Sequence, residues 1–266
     1  MTISATALNA YQVQQLIQQT YMSNISNAKT PGFQAHEVVT GDSPFYTYLT
    51  HPDMTAGDVT KPTGVYYGHG SSTAGTIRDL KRGEPQKTDK ALDMFLDGRG
   101  YMAVNFNGAT GYVRSGRLQV NKDKRLATID GYELEAEIII PEGINASDPK
   151  QLIIEADGSV FAVINSNKQP LGTIPLYDFN NEQGLVEKTG GVFLETQSSG
   201  EPIAIDVGLN EDTKIVQGYY EDSNVDMITQ LMSFMESSHV LTAINQLLKT
   251  HNDSQRDTMK SVSASA

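Results

Sequence analysis

The stretch "NISNAKTPGF", Asn24 to Phe33, closes an apolar-periodic segment and turns the chain sharply. Upstream of it, Val13, Leu16, Ile17, Thr20, Tyr21, Asn24 and Ile25 recur at spacings of three and four, one face of a helix. Leu8 and Tyr11 extend that face toward the start. The spacing predicts a helix over residues 3–27. Pro31 disfavours helix at Thr30, and Gly32 supplies the turn. Asn24 and Asn27 lie one helical turn apart, placed to cap backbone groups at the helix end or to bridge to a neighbouring helix. Phe33 is expected to anchor the departing chain on apolar surface. A plain helix stop with one buried aromatic accounts for the same residues equally well.

Beyond this turn the pattern changes. Residues 41–75, "GDSPFYTYLTHPDMTAGDVTKPTGVYYGHGSSTAG", hold no sustained period and read as extended loop with short strands. From Leu92 the character is β. "YMAVNFNGATGYV" (101–113) sets Asn107-Gly108 between two strand-like runs, the pair that favours a type I′ hairpin turn. Asp130-Gly131 and Asp157-Gly158 repeat the punctuation. Leu134, Ala136, Ile138 and Ile140 alternate with Glu133, Glu135 and Glu137, which puts one apolar and one charged face on a strand. Short strands with turns between them describe an all-β domain.

The last segment returns to helical spacing. Ser223 is expected to cap it, with Asp226 three residues on. Met227, Leu231, Phe234, Ser238, Leu241, Asn245 and Leu248 follow one seam, and Ile228, Met232, Met235, Val240, Ile244 and Leu247 widen the apolar surface. After Asn252 the chain is polar and Ser-rich and is expected to fray. The chain therefore divides into an N-terminal helix (1–33), an extended Gly/Pro-rich connecting segment (34–91), a central β domain (92–218), a C-terminal helix (219–252) and a polar tail (253–266). The fold class is mainly β with N- and C-terminal α-helices. The terminal helices would pack on the β domain or on each other, or pair as a coiled coil whose remaining face meets other copies, around a central domain of short antiparallel strands.

Composition removes several function classes. The 266 residues carry 38% hydrophobic and 20% charged side chains, enough for a lean core. A net charge of -12 repels phosphate backbones, so no nucleic-acid partner is expected. No apolar run reaches membrane-spanning length, so no direct membrane insertion is expected. With no cysteine there is no disulfide, thiolate metal site or Cys nucleophile. The start lacks the basic and apolar regions of a cleavable signal. His36, His51, His69, His239 and His251 form no ligand-spaced pair, so no metal is expected. Gly41-Asp42-Ser43 runs into Pro44 and reads as a turn, not a nucleophile. "GHGSSTAG" lacks the lysine of a phosphate-binding loop. Glu133, Glu135 and Glu137 read as a solvated face rather than a sugar-cleaving pair. No catalytic residue and no cofactor are expected.

Five blocks, in order, carry a resemblance. "SNISNAKTPGFQA" (23–35) resembles the Asn-rich Thr-x-Gly-Phe signature closing the first helix of bacterial flagellar rod and hook proteins. "LDMFLDGRGYMAV" (92–104), "GYVRSGRLQVNKDKRLATIDGYELE" (111–135), "GGVFLETQSSGEP" (190–202) and "QGYYEDSNVDMITQLMSFME" (217–236) resemble later blocks of that family. Length and the segment "GVYYGHGSSTAGTIRDLKRGEPQKTDKALD" (64–93) favour the distal rod branch, with a proximal rod paralogue of similar size as the alternative. Ser23 stands where the family pairs a second asparagine, and "SSHVLT" replaces a Gln-Arg-Ala-Tyr-like block.

The resemblance implies a subunit of a hollow drive shaft in the basal body, crossing the periplasm and transmitting torque for motility. Its partners would be copies of itself, other rod subunits, the hook protein, surrounding ring proteins and the type III export apparatus. Asn24, Asn27, Thr30, Gly32 and Phe33 would be the family turn. Leu8, Val13, Leu16, Ile17, Ile25, Leu231, Phe234, Leu241 and Leu248 would form the assembly interface. A side chain at Gly32 would then impair assembly more than it destabilises the β domain. The rivals in other classes are a β-rich carbohydrate-acting enzyme and a β-rich binding module.

Overall fold

The computed structural model describes residues 2–42, 46–47, 66–67, 70–145, 148–164, 167–207 and 213–264. His51, His69, Ser43 with Pro44, and much of the expected connecting segment lie outside the described residues. The chain forms two compact units. One comprises Met1–Ser26, His36–Ile77 and Asp226–Ala266; the other comprises Asn27–Ala35 and Arg78–Val225.

The first unit is built on two helices, α1 (Thr2–Ser26) and α2 (Met227–Ala264). They lie against one another, and the Ser237 hydroxyl donates to Gln14 Oε1 at 2.9 Å. His36–Asp42 pairs with Ser71–Arg78 as a two-stranded ribbon. This ribbon lies in the segment expected to be extended loop with short strands.

The second helix departs from expectation at both ends. It begins at Met227 rather than directly after Ser223, and its cap is Asp226. The Asp226 carboxylate accepts the N–H of Ile228 at 3.0 Å and of Thr229 at 3.4 Å, and the Thr229 hydroxyl at 2.6 Å. Ser223 instead accepts the N–H of Val225. At the other end α2 runs through the expected polar tail to Ala264. Neither Gly nor Pro interrupts residues 227–264, and the hydroxyls of Thr258, Ser261 and Ser263 fold back onto carbonyls three or four residues earlier. A polar surface does not end a helix whose faces are exposed.

The second unit is mainly β, of short antiparallel strands. Its largest sheet has six strands, in the order 186–188, 192–194, 109–113, 101–106, 176–178 and 203–205. A three-stranded sheet (152–154, 159–164, 167–173) and the pairs 94–97 with 214–217, 85–87 with 219–221 and 118–120 with 126–128 complete it. Residues 101–104 of the strand 101–106 are buried on both faces. Met102 and Val104 enter the main core with Met94, Leu96, Leu126, Ile138, Leu152, Ile174 and Ile215. Tyr101 and Ala103 enter an aromatic cluster with Tyr112, Phe179, Leu185 and Phe193. The Tyr112 and Phe179 rings meet edge to face, 4.8 Å between centroids.

The Asn107-Gly108 turn has φ of 54° and 88°, the two positive values that a type I′ hairpin requires. Residues 133–140 show the expected alternation, with Leu134, Ile138 and Ile140 buried and Glu135 and Glu137 exposed. They form only isolated bridges, because a tight Ala136–Ile138 turn interrupts the ladder. The β unit is also wider than 92–218. It takes in Arg78 and Glu221, both buried, and the short segment after α1.

The Asp226 cap gives α2 a pH dependence. Hydrogen bonds from the Thr229 hydroxyl and from the N–H groups of Thr229 and Ile228 hold its carboxyl below the ordinary value. A depressed carboxyl stabilises the fold above its unfolded pKa, and this contribution disappears as pH falls through the folded one. Amide exchange at Ile228 and Thr229 is expected to be protected at neutral pH and unprotected in acid, below the ordinary carboxylate range. Asp226→Ala should show the unprotected pattern at both. Equal protection of wild type at both pH values would contradict the cap.

Candidate functional site

The residues singled out after the first helix are held by side-chain amides. Within the helical unit Asn24 is fully buried. Its Oδ1 accepts the His36 N–H at 2.9 Å, and its Nδ2 donates to the His36 carbonyl at 2.8 Å and to Gln230 Oε1 at 3.1 Å. A carboxamide has one donor side and one acceptor side, as a peptide group has. Asn24 therefore pairs with His36 as a neighbouring strand would, and also ties α1 to α2.

Within the β unit, Asn27 to Phe33 form a compact turn. The Thr30 N–H donates to the Asn27 carbonyl at 3.0 Å, and its hydroxyl to Asn27 Oδ1 at 3.1 Å. Gly32 has φ of 70°, and its N–H donates to the Glu221 carbonyl at 2.9 Å. A Cβ there would lie 3.0 Å from the backbone of Ser115. A side chain at Gly32 would thus strain a left-handed backbone and press on the β unit itself. Phe33 is half-buried, and its carbonyl accepts the Asn224 N–H at 3.3 Å.

Asn224 gathers three segments. Its Oδ1 accepts the Ala35 N–H at 2.7 Å, and its Nδ2 donates to the carbonyls of Asp79 and Lys81, each at 2.8 Å. Glu221 lies beneath it. One oxygen accepts the Gly83 N–H at 3.1 Å, and the other accepts Arg114 Nε at 2.8 Å. The Arg114 guanidinium also donates to the carbonyls of Leu96, Gly98 and Gly100. Both side chains are almost wholly out of solvent, at 7% and 5% exposure.

A second grip holds the residue at which the ribbon strand ends. Gln183 pairs with both the N–H and the carbonyl of Arg78, at 3.0 and 2.6 Å. The Arg78 guanidinium lies 4.5 Å above the Phe193 ring and donates to Gln34 Oε1 and the Glu182 carbonyl. Glu182 in turn accepts the Tyr101 hydroxyl at 2.9 Å and pairs with Arg99 at 2.8 Å. Burial, then the Glu182 carboxylate, pushes the Tyr101 hydroxyl far above its ordinary range. Burial, with Glu195 next, pushes that of Tyr112 up to about 12. Both rings stay neutral at any physiological pH.

A cleft of about 230 Å³ opens among Gln34, Arg82, Arg99, Arg114, Glu182 and Glu221. Its charged groups are tied to one another or to backbone, an arrangement that fixes segments rather than transfers protons. Among the described residues no cluster of His, Asp and Glu is placed to hold a metal ion, and no helix is long and apolar enough to cross a membrane.

The residues expected at an assembly interface divide. Val13 is buried, and Leu16, Ile17, Ile25, Phe234, Leu241 and Leu248 are half-buried. The last three follow the helix edge on which Gln230 and Ser237 bond to α1. Leu8 and Leu231 are exposed, and Leu231 joins Ile228, Met232 and Met235 in an open apolar stripe on α2. Arg78, Arg114, Gln183, Glu221 and Asn224 escape a reading of the sequence alone. The "YVRSG" and "EDSNV" blocks flag the neighbourhood of Arg114, Glu221 and Asn224 but not which side chains are buried.

The β unit is of the kind found in flagellar hook and rod proteins: residues 95–162 match the family model described as "Flagellar hook protein FlgE/F/G D1 domain". The similarity extends along the chain. The flagellar basal-body rod protein FlgG of Buchnera aphidicola subsp. Schizaphis graminum is 31% identical, over 93% of this chain and 94% of that protein. FlgG of Caulobacter vibrioides is 30% identical, over 92% and 93%. The basal-body rod protein FlgF of Rhizobium meliloti is 25% identical, over 86% and 85%. The chain belongs to the family of the flagellar basal-body rod protein FlgG.

The Arg114–Glu221 pair yields a direct test. Removing one partner of a buried pair leaves the other charge uncompensated and costs about 3–5 kcal/mol. Glu221→Gln is expected to lower the unfolding free energy, read from denaturant titration, by that amount. A loss below about 1 kcal/mol, the size expected of a surface pair, would contradict the buried linkage.

Proposed function

We propose that the protein is a structural subunit of the distal rod, polymerising into the hollow shaft through its two helices while the β unit forms the outer layer. The observation that carries this reading is where the apolar surface lies. In the β unit hydrophobic side chains fill a continuous core, whereas Val13 is the one buried hydrophobic residue on the described parts of α1 and α2. Ile228 and Met232 are 73% and 66% exposed, on successive turns beside Leu231 and Met235. A contiguous apolar stripe of this kind is a surface awaiting a partner. In a helical polymer the partner is the next copy, joined head to tail in a contact that repeats without closing.

On this reading α1 and α2 pair as a coiled coil, through Phe234, Leu241 and Leu248, and present the other stripe outward to neighbouring copies. Asn24 and the turn to Phe33 set how the chain leaves the helices. The work is mechanical, the passage of torque along the shaft, and asks for no catalytic residue and no cofactor. Neighbouring rod subunits, the hook protein and the surrounding rings are its partners, and the basal body its place. Export through the type III apparatus without signal cleavage is part of the same reading.

A charge in the stripe separates assembly from folding. Met232→Asp places a carboxylate where the monomer leaves it solvated, so thermal melting of the full chain should move by no more than a few degrees. In the polymer the same carboxylate is buried at every subunit, at several kcal/mol each. Sedimentation is expected to show polymer for wild type and monomer for the variant. Normal polymerisation of Met232→Asp would exclude the stripe as the assembly surface.

A further inference from the structure

Among the described residues, the buried side-chain polar atoms that find no hydrogen-bond partner are Thr88 Oγ1, Asp93 Oδ2 and Arg117 Nε. All three belong to one neighbourhood in the β unit. The Thr88 N–H donates to the Gly218 carbonyl at 2.7 Å, and the Gly218 N–H donates to the Asp93 carbonyl at 2.8 Å. Thr88 and Asp93 thus flank the same residue. Asp93 is bridged to Arg117 across the backbone, with Met94 N–H to Gly116 and Leu118 N–H to Leu92 on either side. Gly218 is itself the residue at which the chain passes from strand 214–217, paired with 94–97, to strand 219–221, paired with 85–87.

The Asp93 side chain is 4% exposed, yet its Oδ1 stands 3.9 Å from Arg117 Nε. That is too long for a hydrogen bond, so the carboxylate and the guanidinium N–H do not satisfy one another directly. An unpaired buried carboxylate oxygen beside an unpaired guanidinium N–H is costly, and proteins meet that cost with partners of matching polarity. Charge selects the kind of partner. A cation beside Asp93 would be repelled by Arg117, whose guanidinium already lies 5.1 Å over the Tyr220 ring. An anion beside Arg117 would be repelled by Asp93. The partner that fits is neutral, small, and both donor and acceptor.

We infer that one buried water molecule is bound here, donating to Asp93 Oδ2, accepting from Arg117 Nε and sharing a hydrogen bond with the Thr88 hydroxyl. About three partners is the usual complement of a buried water. It would bolt the switch at Gly218 to the segments on either side, and this assignment does not depend on the rod reading.

A crystal structure of the full chain to about 1.5 Å is expected to show an ordered oxygen within about 3.2 Å of both Asp93 Oδ2 and Arg117 Nε. Direct Asp93–Arg117 contact at hydrogen-bond distance, or no density between them, would overturn the proposal. In solution, Thr88→Val keeps the shape of the side chain and removes one partner. Oxygen-17 relaxation dispersion should then count one fewer long-lived water than in wild type, and an unchanged count would equally overturn it.

Discussion

The buried ion pair of Arg114 and Glu221 is the constraint around which the β unit is arranged. A guanidinium taken out of water must have its N–H groups met, and here one carboxylate and three backbone carbonyls meet them. The carboxylate must be met in turn, and the Gly83 N–H does so. These demands fix the backbone nearby. Leu96, Gly98 and Gly100 turn their carbonyls to the guanidinium, and Gly83 approaches the chain at Asp222 so closely that a Cβ would lie 1.8 Å from its carbonyl oxygen. Glu221 also accepts Gly32 through its own carbonyl. One residue near the end of the β unit thereby anchors the turn that follows the first helix.

Around this pair the chain uses carboxamides where ladders are short. Many strands here have only three residues and offer few backbone bonds. Gln183 at Arg78, Asn224 at Ala35, and Gln217 at Ala91, Leu152 and Ile154 each act as a missing strand partner. Asn24 does the same for His36 within the helical unit. A lean core, at 38% hydrophobic residues, gains specificity of register from such contacts.

Much of this order was legible in the sequence because it is local. The 3.6-residue spacing marks both helices, Asn107-Gly108 marks its hairpin, and Asn24 stands out beside Pro31-Gly32. What was not legible depends on residues far apart in the chain. Nothing near Arg114 says that it is buried, since the carboxylate it needs comes 107 residues later. Asn224 looks like an ordinary residue before a helix until Ala35, Asp79 and Lys81 are brought to it. The end of α2 is hidden in the sequence for a different reason. Polar composition predicts fraying, but Ser and Thr hydroxyls bonded back along the helix leave it intact. The strip of Leu231, Phe234, Leu241 and Leu248 was seen as one seam, and the structure separates Leu231 from the rest.

That separation bears on how a rod subunit works. One edge of α2 is occupied by α1, and the stripe of Ile228, Leu231, Met232 and Met235 stays open. The most direct measurement is an image of the assembled polymer at a resolution that places side chains. The account predicts α1 and α2 lining the channel, the β unit outside, and Ile228 and Met232 buried against the helices of adjacent subunits. A polymer in which the β unit lines the channel, or in which those two side chains still face solvent, would contradict it.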